Sequence, residues 1–289
     1  MQILTQLPLR ILTHNIRYAT TSLFEGERPW AERKQPLLNE ILYNTRNLDA
    51  FICLQEVLHS QLIDILSELN QDSQQQKPWA YIGVGRDNGE KAGEYSPIFY
   101  RPAVWQPQHW ETVWLSETPT IPSKGWDASS IRIVTVGIFT HRVSQRTILS
   151  MNTHLDDQGS RSRFQAAHII LQKIREYKEG EWGNIISGIF LTGDLNSEEY
   201  QEAYQVLTAA DSPVVDIAKL VDVKEHYGDW ITWTGFGHEP EPPSRLDYIF
   251  LDGGHSPWKV QGYAVLPNRF EDGIYNSDHR AVVADVVLS

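Results

Sequence analysis

The chain has 289 residues, 41% hydrophobic and 21% charged, with a single cysteine and a formal net charge of −12. This composition excludes disordered, collagenous and coiled-coil chains, an internal disulfide and a thiolate zinc site, and no apolar run approaches the roughly 20 residues of a membrane helix. The acidic balance, with no run of Lys and Arg, offers no field to attract a polyanion, so nucleic-acid binding would need a local basic patch.

Leu9 to Ile16 reads as a short apolar strand passing through Thr13-His14-Asn15. Trp30 to Thr45 has helical spacing, with Leu37, Leu38, Ile41 and Leu42 on one face; Pro29 and Pro36 suit its beginning better than its middle. Ala50 to Leu54 is a buried strand that carries Cys53 as an inert thiol and runs into Gln55-Glu56. His59 to Leu69 is a second amphipathic helix. Strands follow at Ile131 to Phe139 and Thr147 to Leu155, then a helix from Ser160 to Tyr177 with Phe164, Ala167, Leu171 and Ile174 as its buried stripe. Gly188 to Leu191, Leu246 to Leu251 and Ala281 to Leu288 are further strands. Two stretches read as loops, Asn70 to Pro78 with its Gln74-Gln75-Gln76 tract and Gly235 to Ser244 with Pro240, Pro242 and Pro243. Neither is long enough for a linker, so residues 1–289 are expected to form one domain. Several strands succeed one another without a helix between. That predicts an α/β fold of two packed, mainly antiparallel sheets flanked by helices, a four-layer α/β/β/α sandwich. The N-terminal Met-Gln-Ile-Leu-Thr-Gln-Leu-Pro lacks a basic region and an apolar core, so an intracellular location is expected; the protein is separately expected to be a monomer.

Polar residues recur at the ends of these apolar strands: Asn15, Glu56, His154 with Asp156, Asp194 with Asn196, and Asp278-His279 before the last strand. Asp247 sits inside a further apolar stretch. A polar group beside a core needs a partner, and converging strand ends would partner one another. Glu56 and Asp278, with an amide oxygen from Asn15, are hard ligands suited to Mg²⁺ or Mn²⁺. Asp194 beside Asn196 can orient a water, Asp247 can hold the His279 imidazole in one tautomer, and His154 adds a donor for an anionic oxygen. Metal, oriented water and imidazole donors together describe attack on a phosphate ester. There is no Gly-x-Ser-x-Gly elbow and no His-Glu-x-x-His helix, and the run Gly83 to Gly89 misses the dinucleotide and P-loop spacings.

Leu-Gln-Glu56, Asn-Thr-His154-Leu-Asp156, Gly-Asp194-Leu-Asn196, Arg-Leu-Asp247-Tyr-Ile and Ser-Asp278-His279 occur in the order and rough spacing of the endonuclease/exonuclease/phosphatase superfamily, which the chain resembles from Asn15 to its last strand. His14-Asn15-Ile-Arg17-Tyr18, Pro97-Ile-Phe-Tyr100-Arg101, Trp114-Leu-Ser-Glu117-Thr-Pro119 and Arg163 with Gln165-Ala166 resemble a less characterised bacterial and fungal hydrolase branch. There the His-Leu-Asp run commonly continues with His; here it continues with Asp157. The resemblance implies a phosphodiesterase or phosphatase using Mg²⁺, with Mn²⁺ able to substitute. Its substrate would be a small diester, a nucleotide or a nucleic-acid end. Asn15 and Glu56 would hold the metal, with Asp278 a direct ligand or a partner of one. His154 and Asn196 would contact the phosphate, and His279 paired with Asp247 would stabilise developing charge. Either Asp194 or His279 would act as base. Arg163, Tyr100 and Arg101 are candidates to touch the phosphate, Trp126 and Trp233 to rim the site, and Glu117 to clamp a loop. The competing reading is a catalytically inactive binding module of the same fold.

Overall fold

The structure, a computed structural model, describes residues 6–46, 48–71, 78–238, 242–253 and 257–289. Its elements in order are β1 (Leu7–Asn15), α1 (Trp30–Thr45), β2 (Ala50–Gln55), α2 (His59–Leu69), β3 (Ala80–Ile82), β4 (Ile98–Tyr100), β5 (Trp105–Trp114), β6 (Ile133–His141), β7 (Thr147–His154), α3 (Ser160–Glu179), β8 (Ile186–Asp194), α4 (Glu202–Leu207), β9 (Val214–Asp216), β10 (His226–Gly228), β11 (Asp247–Asp252), β12 (Trp258–Val265) and β13 (Val282–Leu288). They build a seven-stranded sheet in the order β10-β12-β13-β1-β2-β4-β3 and a six-stranded sheet in the order β5-β6-β7-β8-β11-β9. Most neighbours are antiparallel; β1 with β2, β10 with β12, and β7 with β8 are parallel.

Alternation within the strands sorts side chains into layers. Ile11, Phe51, Cys53, Phe190, Ile249, Ala284 and Val286 fill the space between the sheets, around Trp105 and Phe139. The opposite faces of β1 and β2, through Leu12, Ile52 and Leu54, receive Leu37, Leu38 and Ile41 of α1 and Leu62, Ile65 and Leu69 of α2. On the other sheet, Leu149, Met151, Ile189 and Leu191 receive α3 and α4. The result is the expected α/β/β/α sandwich. Burial pushes the Cys53 thiol up to about 12 despite a hydrogen bond with Thr192, as an inert core thiol requires.

Some expectations need correction. Pro36 lies inside α1, in its second turn rather than at its start. Phe164 is exposed at 40%; the buried stripe of α3 runs instead through Ala166, Ala167, Ile170, Leu171 and Ile174. The Gln74–Gln76 tract and Pro240 fall outside the described residues. No helix among the described residues is long and apolar enough to cross a membrane.

Helix α1 also buries Glu40, whose Oε1 lies 3.4 Å from His14 Nδ1 on β1. Burial pushes the Glu40 carboxyl from 4.5 up to about 8. It pushes the His14 imidazole from 6.5 down to about 4. A neutral pair is thus preferred near neutral pH. The sign of the stability effect follows by linkage. His14 costs stability as pH falls below 6.5, where the unfolded chain takes up a proton that the folded one refuses. Glu40 costs stability as pH rises from 4.5 to about 8, where only the unfolded chain ionises. Between pH 6.5 and 8 only Glu40 acts within this pair. Glu40→Gln should therefore reduce the fall in unfolding midpoint between those two pH values by a few degrees. Equal falls in thermal scans of both proteins would show that Glu40 is ionised in the fold.

Candidate active site

The sheet registers bring the polar strand ends to one rim. Asn15 pairs with Gln55 across β1 and β2, and Asp194 pairs with His154 on one side and Asp247 on the other. Parallel strands thus end where antiparallel β11 begins, and β13 starts beside the end of β1, with Thr13 opposite Val282. Close approach of β7 and β8 depends on Gly193, held at φ 151°, where a Cβ would overlap the Thr153 carbonyl. Arg17, Glu56 and Asn196 adopt left-handed backbone angles of 57°, 60° and 44°. All three line the cavity at this rim, where strand ends turn sharply to aim their side chains.

His279 Nδ1 lies 2.7 Å from Asp247 Oδ2, both residues being buried. Burial alone would lower the imidazole, but the Asp247 and Asp194 carboxylates raise it well above its usual value. Asp194 accepts from Asn196 N through Oδ1 at 2.8 Å and from Asn15 Nδ2 through Oδ2 at 2.9 Å. Its carboxyl is pushed up to about 7 by burial and by Asp247, against the opposing pull of His279. His279 Nε2 and His154 Nε2 stand 3.6 and 3.5 Å from the same Oδ2. Asn196 Nδ2 donates to Leu155 O at 3.1 Å and meets His154 Nε2 at 3.0 Å. That bond makes Nε2 the acceptor and leaves the His154 proton on Nδ1. Burial, with Arg132 and Arg86, holds His154 well below the usual imidazole value, so it is neutral.

Glu56 accepts from Asn15 Nδ2 at 3.0 Å and from Tyr18 N at 3.0 Å. The Asn15 amide oxygen accepts from Arg17 N at 3.0 Å, which fixes its amino group toward Glu56 and Asp194 rather than offering the oxygen to the cavity. Asp278 is raised by burial and by Glu56, against His279, Arg17 and Arg33.

The cavity above these groups is about 670 Å³. Arg86, Glu94, Ser129, Ser130, Arg132, Asp157 and Gln158 form part of its wall, and Tyr18, Phe24 and Trp233 are its aromatic side chains. Each lining arginine is paired: Arg17 with Glu27, Arg86 with Glu94, Arg132 with Asp156 and Asp157, and Arg163 with Glu202. Sequence reasoning gave no role to Glu94, Arg86 or Arg132, because they lie outside the ends of the long strands. Glu94 Oε2 is 3.8 Å from His154 Nδ1, and burial with Glu56 pushes its carboxyl up to about 7. Asp157, where the branch commonly has His, meets Arg132 at 2.8 Å.

Among the other expected contacts, Tyr100 is absent from the lining and packs in the core with its ring 4.7 Å from Phe139. Arg101 bonds Leu48 O and Thr45 O away from the cavity. Arg163 lines the cavity, with Nε on Glu202 at 2.5 Å and Nη1 on Asp156 O at 2.9 Å. Asp156 is tied into a loop; burial would raise it, but Ser129, Gly159 and Ser130 N–H groups lower it. Trp233 lines the cavity and Trp126 does not. Glu117 accepts from Trp126 N at 3.4 Å, a loop clamp.

The sequence model of the Endonuclease/Exonuclease/phosphatase family matches residues 12–279. The chain belongs to this family. A family protein from Bacteroides vulgatus is 30% identical, with 98% of this chain and 100% of that one covered at a TM-score of 0.83. A second, from Bacteroides thetaiotaomicron, is 28% identical over 98% and 99% of the two chains, also at 0.83. A mannosyl-6-phosphatase from the same organism is 29% identical over 96% and 99%, at 0.82. No curated protein matches the chain.

Members of this endonuclease/exonuclease/phosphatase family are phosphoric ester hydrolases that generally use divalent metals. The site fits such an ion. Carboxylates crowd it, and the field of Glu56 raises the acids of both Asp278 and Glu94, a repulsion that a divalent cation relieves. One buried group of metal-ligating type is Asp194, Asp247 and His279, whose ligand atoms lie within 4.8 Å of one another. There, however, His279 Nδ1 is held by Asp247, and both Asp194 oxygens accept N–H groups. Glu56 likewise accepts N–H groups on both oxygens, from Asn15 and Tyr18, and it lines the cavity together with Asp278.

Proposed function

We propose that this family member hydrolyses small phosphate esters with a divalent cation, Mg²⁺ or Mn²⁺, held by Glu56 and Asp278, with Asn15 aligning Glu56. The observation that carries the reading is Asp194, a buried carboxylate poised near neutrality among Asn15, Asn196, His154 and His279. The cation supplies positive charge to the phosphoryl group and to the carboxylates around it. Asp194 orients the attacking water and takes its proton. His279, kept protonated by Asp247, donates from Nε2 to the charge developing on phosphorus-bound oxygen. Asn196 positions His154, whose Nδ1 proton faces Glu94.

Two observations favour a small ester over a nucleic-acid strand. Among the described residues every arginine lining the cavity is matched by a carboxylate, so they present no uncompensated basic track. The cavity also combines hydrogen-bonding side chains with aromatic rings, which suits a polyhydroxylated group that has one apolar face. The name of the mannosyl-6-phosphatase relative supports the same size of substrate.

The test is metal dependence. Glu56→Gln replaces a charged oxygen with a neutral one and weakens the ion's hold without emptying the site. Turnover of an aryl phosphate should drop at low Mg²⁺ and recover in part as Mg²⁺ or Mn²⁺ is raised. Activity that survives EDTA in the unaltered protein would rule the reading out. The absence of any hydrolysis with metal would favour the inactive binding module.

A further inference from the structure

Helix α1 buries a guanidinium that the proposed chemistry does not use. Arg33 is wholly buried. Among the described residues it has no carboxylate within ion-pair distance, and its Nε has no hydrogen-bond partner. Its other nitrogens spend themselves on backbone carbonyls. Nη1 donates to Ile16 O at 2.6 Å and Asn276 O at 3.2 Å; Nη2 donates to Arg17 O at 2.7 Å and Tyr18 O at 3.4 Å. A buried charge of this kind is costly to keep, and a helix needs no such group merely to pack on a sheet.

What the fork touches gives the reason. Residues 16–18 form the turn after β1, where Arg17 is left-handed and the Tyr18 N–H reaches Glu56 Oε2. Asn276 stands two residues before Asp278, and the intervening Ser277 Oγ donates to Asn15 O at 2.6 Å. One planar guanidinium therefore ties the turn that holds Glu56 to the segment that carries Asp278. Lysine, a point donor on a flexible stem, cannot span the same carbonyls in a fixed plane. Gln61 supports the turn from α2, donating to Arg17 O at 3.1 Å and accepting from Ala19 N at 3.0 Å.

We propose that Arg33 is a positioning residue for cation binding: it sets the spacing between the Ile16–Tyr18 turn and the Asn276–Asp278 segment so that Glu56 and Asp278 address one ion. This rests on the assignment of those two carboxylates as the cation site.

The test uses Arg33→Lys and Arg33→Met, with Mn²⁺ affinity measured directly by titration of the folded protein and thermal unfolding recorded beside it. Arg33→Lys should weaken Mn²⁺ binding about tenfold or more, while kcat at saturating metal falls much less. A purely structural Arg33 would lower the unfolding midpoint and leave the affinity of the folded protein where it was, and that result overturns the proposal. A second measurement needs no variant. In the unaltered protein, Mn²⁺ should slow amide exchange in the 16–18 and 276–278 segments together, and protection confined to one of them also overturns it. If the unaltered protein binds no Mn²⁺, the metal reading itself falls. If it binds Mn²⁺ and Arg33→Lys binds equally well, only the role of Arg33 falls.

Discussion

Asp194→Asn is expected to lower turnover by about 10²–10⁴-fold, the usual worth of a general base, and added metal should not restore it. The substitution keeps size and shape. One of its two atoms must become an amino group, which then faces either the Asn196 N–H or the Asn15 amino group as donor against donor. Stability should move the other way at high pH. Because the Asp194 acid is pushed from 3.8 up to about 7, the carboxylate costs folded-state stability as pH rises through that window. At pH 8 the variant should therefore unfold no earlier than the parent, apart from the cost of the one mismatched donor. The measurement is turnover against metal concentration for Asp194→Asn and Glu56→Gln on a single aryl ester. Rescue of the former and not of the latter would mean that the two roles are reversed.

Asp247→Ala should cost a comparable or larger factor, about 10⁴, on the scale of carboxylates that orient a catalytic imidazole. Asp247 Oδ2 bonds His279 Nδ1 at 2.7 Å, while Oδ1 is buried with no hydrogen-bond partner among the described residues. The acid is thus committed to the ring. Its removal takes away a principal cause of the raised His279 value and frees the ring to adopt the other tautomer. The imidazolium should then lose its proton at lower pH, which an NMR titration of the His279 ring reads directly. Turnover near that of the parent would exclude Asp247 from the mechanism. An unmoved His279 titration would show that Asp194 alone holds the charge.

Much of the site was legible because it is written at strand ends. Asn15, Glu56, His154, Asp194 and Asp278 each close or precede an apolar run, and the sheet registers then bring them to one rim. Residues outside those runs gave no such signal. Glu94 and Arg86 precede the three-residue β4, and Arg132 stands just ahead of β6. Their pairing with one another, with His154 and with Asp157 is decided by chain packing rather than by local pattern. Tyr100 was misleading for the converse reason. Ile98-Phe99-Tyr100 is apolar throughout, so nothing local says which face each side chain takes, and Tyr100 turns into the core against Phe139. Phe164 fits a helical stripe by spacing, yet it lies at the edge of the face that α3 presents to the sheet, beside His168 and α4.

The sequence by itself determined the long elements: the spans of α1 and α2, the central strands and the recurrence of polar residues at the strand ends. Each of these rests on periodicity or on polar groups beside a core, and such information is local. Only the tertiary structure decided the rest. Strands of only three residues, such as β3, β9 and β10, are too short to declare themselves by period, and a hydrogen-bonding neighbour decides that they pair. The orientation of the Asn15 amide depends on the Arg17 N–H that its oxygen meets. The neutral pairing of Glu40 with His14 and the grip of Arg33 on two distant segments depend on burial, which no local pattern encodes. Electrostatic roles belong to the assembled interior, where desolvation and a few ångströms decide which group keeps its proton.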